Sequence, residues 1–301
     1  MHGRFPRGRD MSRLDQALEK AAQLRKKNAG CETRVNNSIL APDAVIHDKP
    51  FLPPASADVA AVKIDNPFLI TLKEPASPIT EEYRKLKTVI MKLTQREHYL
   101  NTIMVTSAFS AEGKSITALN LAITMAQEYD HTILLVDADV RKPSLHQYLN
   151  STAKTGLTDC LVNGTDLSSA LIRTGIGRLS FLPSGRQIKD PAELLSSNRM
   201  KEFLLEIKNR YPDRYIIIDA PPVLSCAETL SLGHMVDGIL FVVMEGVASL
   251  DNIQEALGLL KDANVLGLVY NNVSAEAMSG YYSHSYQKYG HMTAEEKGIP
   301  A

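Results

Sequence analysis

Thr102-Ile103-Met104-Val105-Thr106 runs directly into Ser107-Ala108-Phe109-Ser110-Ala111-Glu112-Gly113-Lys114-Ser115, and then into a stretch reaching from Ile116 to about Gln127. The first five residues read as a buried β-strand, because a short apolar run rich in β-branched residues has no one-sided pattern. The last stretch reads as a helix. Strand, loop, Gly-Lys-Ser, helix is the order in which a phosphate-binding loop is credible. Consecutive backbone N–H groups and the helix N-terminus present positive potential to phosphate oxygens. Gly113 allows close backbone approach, Lys114 sets a point charge between the β- and γ-phosphates, and the Ser115 hydroxyl faces a divalent metal. The strict pattern has glycine where this chain has Ala108. The Gly-Lys-Ser tripeptide is therefore a modest signal taken alone.

Two later segments strengthen it. Leu134-Leu135-Val136-Asp137-Ala138-Asp139 places two carboxylates just past an apolar run, and Ile216-Ile217-Ile218-Asp219-Ala220-Pro221-Pro222 places a third. Further runs lie at Leu179–Leu182, Ile239–Val243 and Leu266–Tyr270. Continuous apolar strands separated by helical stretches imply an α/β fold, a mostly parallel sheet with helices on both faces. The C-terminal strand ends of such a sheet converge on one ligand crevice. A single Asp after a strand is most simply a turn former or helix cap. Three Asp residues at strand ends, all downstream of Gly-Lys-Ser, instead point to a nucleotide site of P-loop NTPase type. Ser110, Ala111, Glu112, Gly113, Lys114, Ser115 and Ile116 would form its loop, and Ser115, Asp137 and Asp219 would face the metal. Asn271 and Asn272, ending the last strand, are placed at the adenine edge.

Outside this region the chain is organised differently. Residues 1–10 read as a disordered lead, with Met11 an alternative start. Residues 11–28 read as an amphipathic helix, apolar at Leu14, Ala17, Leu18, Ala21 and Leu24. It would serve either as a packed helix or as a docking helix for a partner. Residues 29–77 read as a proline-rich linker, 78–273 as the ATP-binding domain, and 274–301 as a flexible tail. Residues 80–97 form a charged amphipathic helix with Thr80 as its expected cap. The tail holds Tyr281, Tyr282, Tyr286 and Tyr289, four of the chain's eleven tyrosines. None has apolar neighbours at helical or strand spacing, so a core role is not expected.

Lys and Arg number 33 against 34 Asp and Glu, which gives no argument for nucleic-acid binding. A local basic excess, eight Lys or Arg against three Asp or Glu, marks residues 1–28. Cys31, Cys160 and Cys226 are odd in number and far apart, which reads as reduced thiols rather than disulfides or a metal site. The eight histidines show no ligand spacing. No apolar run approaches the roughly 18–20 residues of a membrane span, so the expected location is cytoplasmic, with recruitment to the inner face of the cell membrane by a partner.

Taken together, Glu112–Ser115, the Leu134–Arg141 segment with Asp137, Asp139 and Arg141, and Ile216–Pro222 resemble the bacterial tyrosine kinase family. These are the phosphate-loop autokinases of capsule and exopolysaccharide systems. Asp190–Leu195 and Leu182–Gly185 also resemble family segments, and Met11–Ala21 resembles the start of the subgroup linked to exosortase-type exopolysaccharide loci. The Asp-x-Asp-x-Arg element is the specific one. The resemblance implies ATP and Mg²⁺ as cofactors and autophosphorylation of the tail tyrosines in trans. Lys114 would stabilise charge, with Asp137, or else Asp139, as the proton acceptor. It further implies a ring-like homo-oligomer through a Glu-x-x-Arg-x-x-Arg helix. Here that helix is matched by Glu81, Arg84 and Lys87, with Lys where the family has Arg, and Arg141 is a further candidate contact. A lysine cannot reproduce the two-pronged contact of a guanidinium. The implied partners are a separate membrane-spanning activator of polysaccharide copolymerase type and a tyrosine phosphatase. Two other readings stand beside it. One is a partitioning-type ATPase, which would usually carry an early loop lysine where this chain has Phe109. The other is a nucleotide-binding scaffold of a polysaccharide-assembly complex.

Overall fold

The computed structural model describes residues 66–95, 100–128, 130–210 and 213–274. Among these residues the central element is a seven-stranded sheet. In chain order its strands are β1 (Thr102–Ser107), β2 (Thr132–Asp137), β3 (Ile172–Arg173), β4 (Leu179–Leu182), β5 (Arg214–Asp219), β6 (Gly238–Met244) and β7 (Val265–Asn271). They lie in the order β3-β4-β2-β5-β1-β6-β7. All neighbours pair in parallel except β3 with β4, which is antiparallel. The expected parallel sheet is therefore present. The short antiparallel edge strand β3 is an addition that no apolar run announces.

The strands read as unbroken apolar runs because both faces of the sheet are covered. On one face Met104, Leu134, Val136, Ile216, Ile218 and Phe241 join a core with Met200 and Leu204 of the helix Asn198–Arg210 and Leu232 of the helix Glu228–Met235. On the other, Ile103, Val105, Ile133, Leu135, Ile217 and Val242 pack against Leu119, Ile123 and Met125 of the helix Lys114–Ala126. Alternate residues of one strand thus enter different cores, as the two-residue period requires.

The helices are labelled α1 (Ile70–Lys73), α2 (Pro78–Thr94), α3 (Lys114–Ala126), α4 (Leu145–Tyr148), α5 (Leu157–Asn163), α6 (Leu167–Ala170), α7 (Pro191–Leu195), α8 (Asn198–Arg210), α9 (Glu228–Met235) and α10 (Leu250–Leu259). Helix α3 is buried along nearly its whole length, which explains its apolar character on all sides. It begins at Lys114, two residues earlier than the sequence suggested, so the Gly-Lys-Ser motif itself forms the helix start.

Two expectations at the domain entrance are corrected. Ser77, not Thr80, caps α2: its Oγ accepts from Thr80 N at 3.2 Å, and Pro78 occupies the first helical turn where a missing N–H costs nothing. Thr80 instead turns its hydroxyl back to donate to the Glu74 carbonyl at 2.7 Å. Ordered structure also begins before Pro78. Leu69 is fully buried, and Asn120 of α3 holds the α1 segment through Thr71 N (3.2 Å), the Thr71 hydroxyl (3.0 Å) and the Phe68 carbonyl (2.8 Å). The end of the expected 29–77 linker is therefore part of the packed domain. The lead 1–10, the helix 11–28, the linker up to residue 65 and the tail tyrosines lie outside the described residues.

Candidate active site

The loop between β1 and α3 is wound by two left-handed residues, Ala111 (φ 67°) and Gly113 (φ 85°). Glycine takes this conformation freely, whereas alanine there is strained. Between them Glu112 is wholly buried. Its Oε1 accepts from Phe109 N at 2.7 Å and its Oε2 from Met244 N at 3.1 Å. Ser110 and Ala111 face solvent. The backbone of this loop and the first turn of α3 form the cradle that a phosphate chain needs.

Strand register brings the carboxylates together. Asp137 of β2 is the lateral partner of Asp219 of β5, so their side chains leave the sheet side by side. The Lys114 ammonium reaches this cluster, 2.7 Å from Asp139 Oδ2 and 3.6 Å from Asp219 Oδ1. It also donates to the Ser115 hydroxyl at 3.3 Å. Asp139 Oδ1 accepts from Lys142 N at 3.0 Å, and Asp137 Oδ2 from Leu145 N at 3.2 Å. Lys114, Ser115, Asp137, Asp139 and Asp219 are thus brought together as the sequence suggested.

The electrostatics follow from burial. Burial raises Asp137 well above the ordinary carboxylate range, and the neighbouring charges of Asp219 and Asp139 push it further. Burial likewise pushes Asp219 up to about 6, against the opposing pull of Lys114. For Lys114 burial acts downward, but the charges of Asp219 and Asp139 outweigh it and leave the ammonium raised and firmly protonated. Asp137 Oδ1 is buried without a hydrogen-bond partner, and Asp219 faces the Lys114 ammonium at 3.6 Å and the Ser115 hydroxyl. Buried carboxylates so placed beside a phosphate cradle suit a divalent cation. Among the described residues no three His, Cys, Asp or Glu form a metal cage. A Mg²⁺ ion in a phosphate site needs only one or two protein oxygens, the remainder coming from phosphate and water.

Other expected residues fall elsewhere. The Asn271 amide donates to the Glu112 carbonyl at 3.1 Å, so it is engaged with the loop backbone, and Asn272 is exposed with a left-handed φ of 53°. Arg141 forms an ion pair with Glu228 at 2.5 Å, half-exposed itself above a fully buried carboxylate. Glu228 was not singled out in the sequence, where it is an isolated acid after the Pro221-Pro222 turn. On α2, Glu81 and Arg84 pair with each other at 3.0 Å on the surface, whereas Lys87 pairs at 2.5 Å with Glu128 at the end of α3. Among the described residues no helix is long and apolar enough to cross a membrane.

A family profile described as an AAA domain matches residues 101–264. The tyrosine-protein kinase YwqD of Bacillus subtilis is 35% identical over 219 residues, spanning 71% of this chain and 90% of that protein. The chain belongs to the bacterial tyrosine-protein kinase family. The kinase domain of the Escherichia coli tyrosine kinase ETK superimposes with a TM-score of 0.63 at 25% identity, covering 69% of this chain and 82% of that one. The tyrosine-protein kinase wzc of Salmonella typhi is 29% identical over 227 residues, spanning 73% of this chain but only 31% of that protein. Membership gives the cradle its ligand class, a nucleotide with a divalent metal.

Proposed function

We propose that this chain is an ATP- and Mg²⁺-dependent protein-tyrosine autokinase that phosphorylates the C-terminal tyrosines of a neighbouring copy and thereby regulates exopolysaccharide polymerisation or export. The observation that carries the reading is the Lys114 ammonium, buried among Asp139, Asp219 and Asp137 at the mouth of a phosphate cradle. It is supported by kinship to tyrosine kinases and by the cluster Tyr281, Tyr282, Tyr286 and Tyr289.

In this reading the loop Ser110–Ile116 binds the phosphates and Lys114 neutralises charge on the transferring group. Ser115 would coordinate Mg²⁺, with Asp137 and Asp219 around it directly or through water, and the ion would supply charge neutralisation to the phosphates. A tail phenol oxygen attacks the γ-phosphorus in line, the bond to the bridging oxygen breaks, and ADP leaves. A phenol has a pKa of about 10, so the departing proton needs an acceptor. Asp137, with its unpartnered Oδ1, is the first candidate and Asp139 the second. Self-association through Glu81 and Arg84 would present the tail to a neighbour. Lys87 pairs with Glu128 and Arg84 with Glu81 within the chain, so a contact with a neighbour would have to share or replace these pairs. A separate membrane-spanning activator of copolymerase type would recruit the kinase to the inner face of the membrane. A tyrosine phosphatase would reset the cycle.

The test is incubation with γ-labelled ATP and Mg²⁺, followed by anti-phosphotyrosine blotting and mass-spectrometric site mapping. The reading requires label on tail tyrosines in the wild type and its loss in Lys114→Ala. Phosphate release without protein label would instead indicate a partitioning-type ATPase. Nucleotide binding without either activity would indicate a scaffold.

A further inference from the structure

The loop that cradles the phosphates contains a strained residue, and the restraint on it comes from outside the loop. Ala111 is left-handed at φ 67°, a conformation that is strained for a non-glycine residue and persists only where its surroundings over-determine it. Those surroundings converge on Glu112. Its carboxylate bridges Phe109 N, within the loop, and Met244 N, at the end of β6. Its carbonyl accepts from the Asn271 amide at the end of β7. The fit at β7 is close, since a Cβ built on Gly113 would lie 2.1 Å from Asn271 Nδ2. Both groups are engaged within the protein: Glu112 is fully buried, and the Asn271 amide donates to its backbone.

We infer that Glu112 and Asn271 are positioning residues that hold the Ala111–Lys114 turn in its left-handed form against the ends of β6 and β7, and so set nucleotide affinity. The inference rests on the nucleotide-binding reading of the loop and deepens it. The chemistry is specific to a carboxylate, because both oxygens of Glu112 accept from backbone N–H groups. Glutamine has the same size and shape but only one acceptor oxygen. Its NH₂ would face one of the two N–H groups, donor against donor. Glu112→Gln should therefore fail to substitute for glutamate. Asn271→Ala removes the brace at β7 alone, at a half-buried position where truncation is tolerated.

A loop that spends part of its time unwound binds nucleotide more weakly by the fraction of time it is competent, and bound nucleotide restores it. The two variants should thus raise the Kd for a fluorescent ADP analogue with Mg²⁺, and the KM for ATP, by about tenfold, while kcat at saturating ATP largely recovers. A general loss of structure gives the opposite split, lowering the active fraction and kcat while leaving Kd and KM near the wild-type values. The experiment titrates the analogue into the full chain, its two variants and Lys114→Ala, with KM and kcat measured alongside. A raised Kd for inorganic pyrophosphate as well as for the analogue in Asn271→Ala supports the brace even if Glu112→Gln does not fold, because a lost adenine contact would leave pyrophosphate binding unchanged. Wild-type Kd in a folded Glu112→Gln or in Asn271→Ala overturns the inference and leaves the nucleotide reading intact. Failure of the wild type itself to bind overturns both.

Discussion

The Lys114 ammonium lies 2.7 Å from Asp139 Oδ2, so the charge meant for a phosphate already has a carboxylate partner within the protein. Both groups are almost completely buried, and a charged hydrogen bond there is worth roughly 1.5–3 kcal/mol. An incoming phosphate must compete with Asp139 for that ammonium. Asp139→Asn keeps the side-chain shape and removes the competing charge, leaving Asp219 to hold the lysine at 3.6 Å. The variant is expected to bind a fluorescent ADP analogue about 3- to 10-fold more tightly than wild type, corresponding to ~1 kcal/mol. Weaker binding would show that Asp139 assists the ligand rather than opposing it.

Asp137 makes the second prediction. Its carboxyl is raised well above the ordinary value by burial and by the charges of Asp219 and Asp139. A folded-state pKa above the unfolded value of about 3.9 means that the ionised form weakens the fold. The stabilising contribution is complete below the unfolded pKa and is lost as pH rises through the raised folded value. Asp137→Asn retains an oxygen to accept from Leu145 N and stays neutral at every pH. Without nucleotide or metal, it should melt about 2–6 °C above wild type near pH 8. The gap should close as the pH falls toward the carboxylate range, where wild-type Asp137 protonates. The same variant should lose Mg²⁺-dependent phosphorylation. Differential scanning calorimetry across pH measures the first effect, and a melting-point gap independent of pH would refute the assignment.

How far the sequence spoke for itself depends on how far apart the partners lie. The strands were legible because burial on both faces leaves one continuous apolar run, as in Ile216-Ile217-Ile218. The carboxylates were legible because each ends such a run. β3 was not, since it is a two-residue pairing of Ile172 with Phe181 and Arg173 with Ser180, too short to leave a pattern. The cap of α2 was misplaced from Ser77 to Thr80 because both are good capping residues three apart, and only the Pro78 position decides between them. Glu112 was legible as a motif position but not as a brace. Its side-chain partner Met244 is 132 residues away, and Asn271, which bonds its carbonyl, is 159 away. Arg141 and Glu228, separated by 87 residues, were hidden in the same way.

That Arg141–Glu228 pair carries the third prediction. Glu228 is fully buried at the start of α9, where the helix N-terminus also favours its charge. Removing the arginine strands a buried carboxylate, a loss that reaches about 3–5 kcal/mol when both partners are deep. Arg141 is half-exposed, so solvent screens part of the interaction and the expected cost of Arg141→Ala is about 1–2 kcal/mol. Adding Glu228→Gln should recover most of it, because the stranded charge is then gone. Urea denaturation of the two single variants and the double variant measures this directly. If the double variant is no more stable than Arg141→Ala, the pair is not the source of the loss, and a direct role for Arg141 at a subunit contact gains weight.

The tail tyrosines give the last prediction, which concerns assembly rather than the fold. Each phosphotyrosine adds about −1.5 to −2 charges at neutral pH. Tyr281, Tyr282, Tyr286 and Tyr289 lie within nine residues of one another. Full modification would therefore place roughly −6 to −8 charges on each tail. In a ring that brings several tails together, this charge must raise the free energy of the assembled state, most strongly at low salt where screening is weak. Replacing all four with phenylalanine removes the acceptors while leaving the cradle, Lys114 and the α2 surface unchanged. The Phe variant is expected to remain assembled in ATP and Mg²⁺ under conditions in which the wild type dissociates as it becomes modified. Multi-angle light scattering with time after ATP addition, at low and high ionic strength, measures it. Identical assembly of the two proteins in ATP at low salt would exclude phosphate repulsion as the release step and leave nucleotide turnover itself as the trigger.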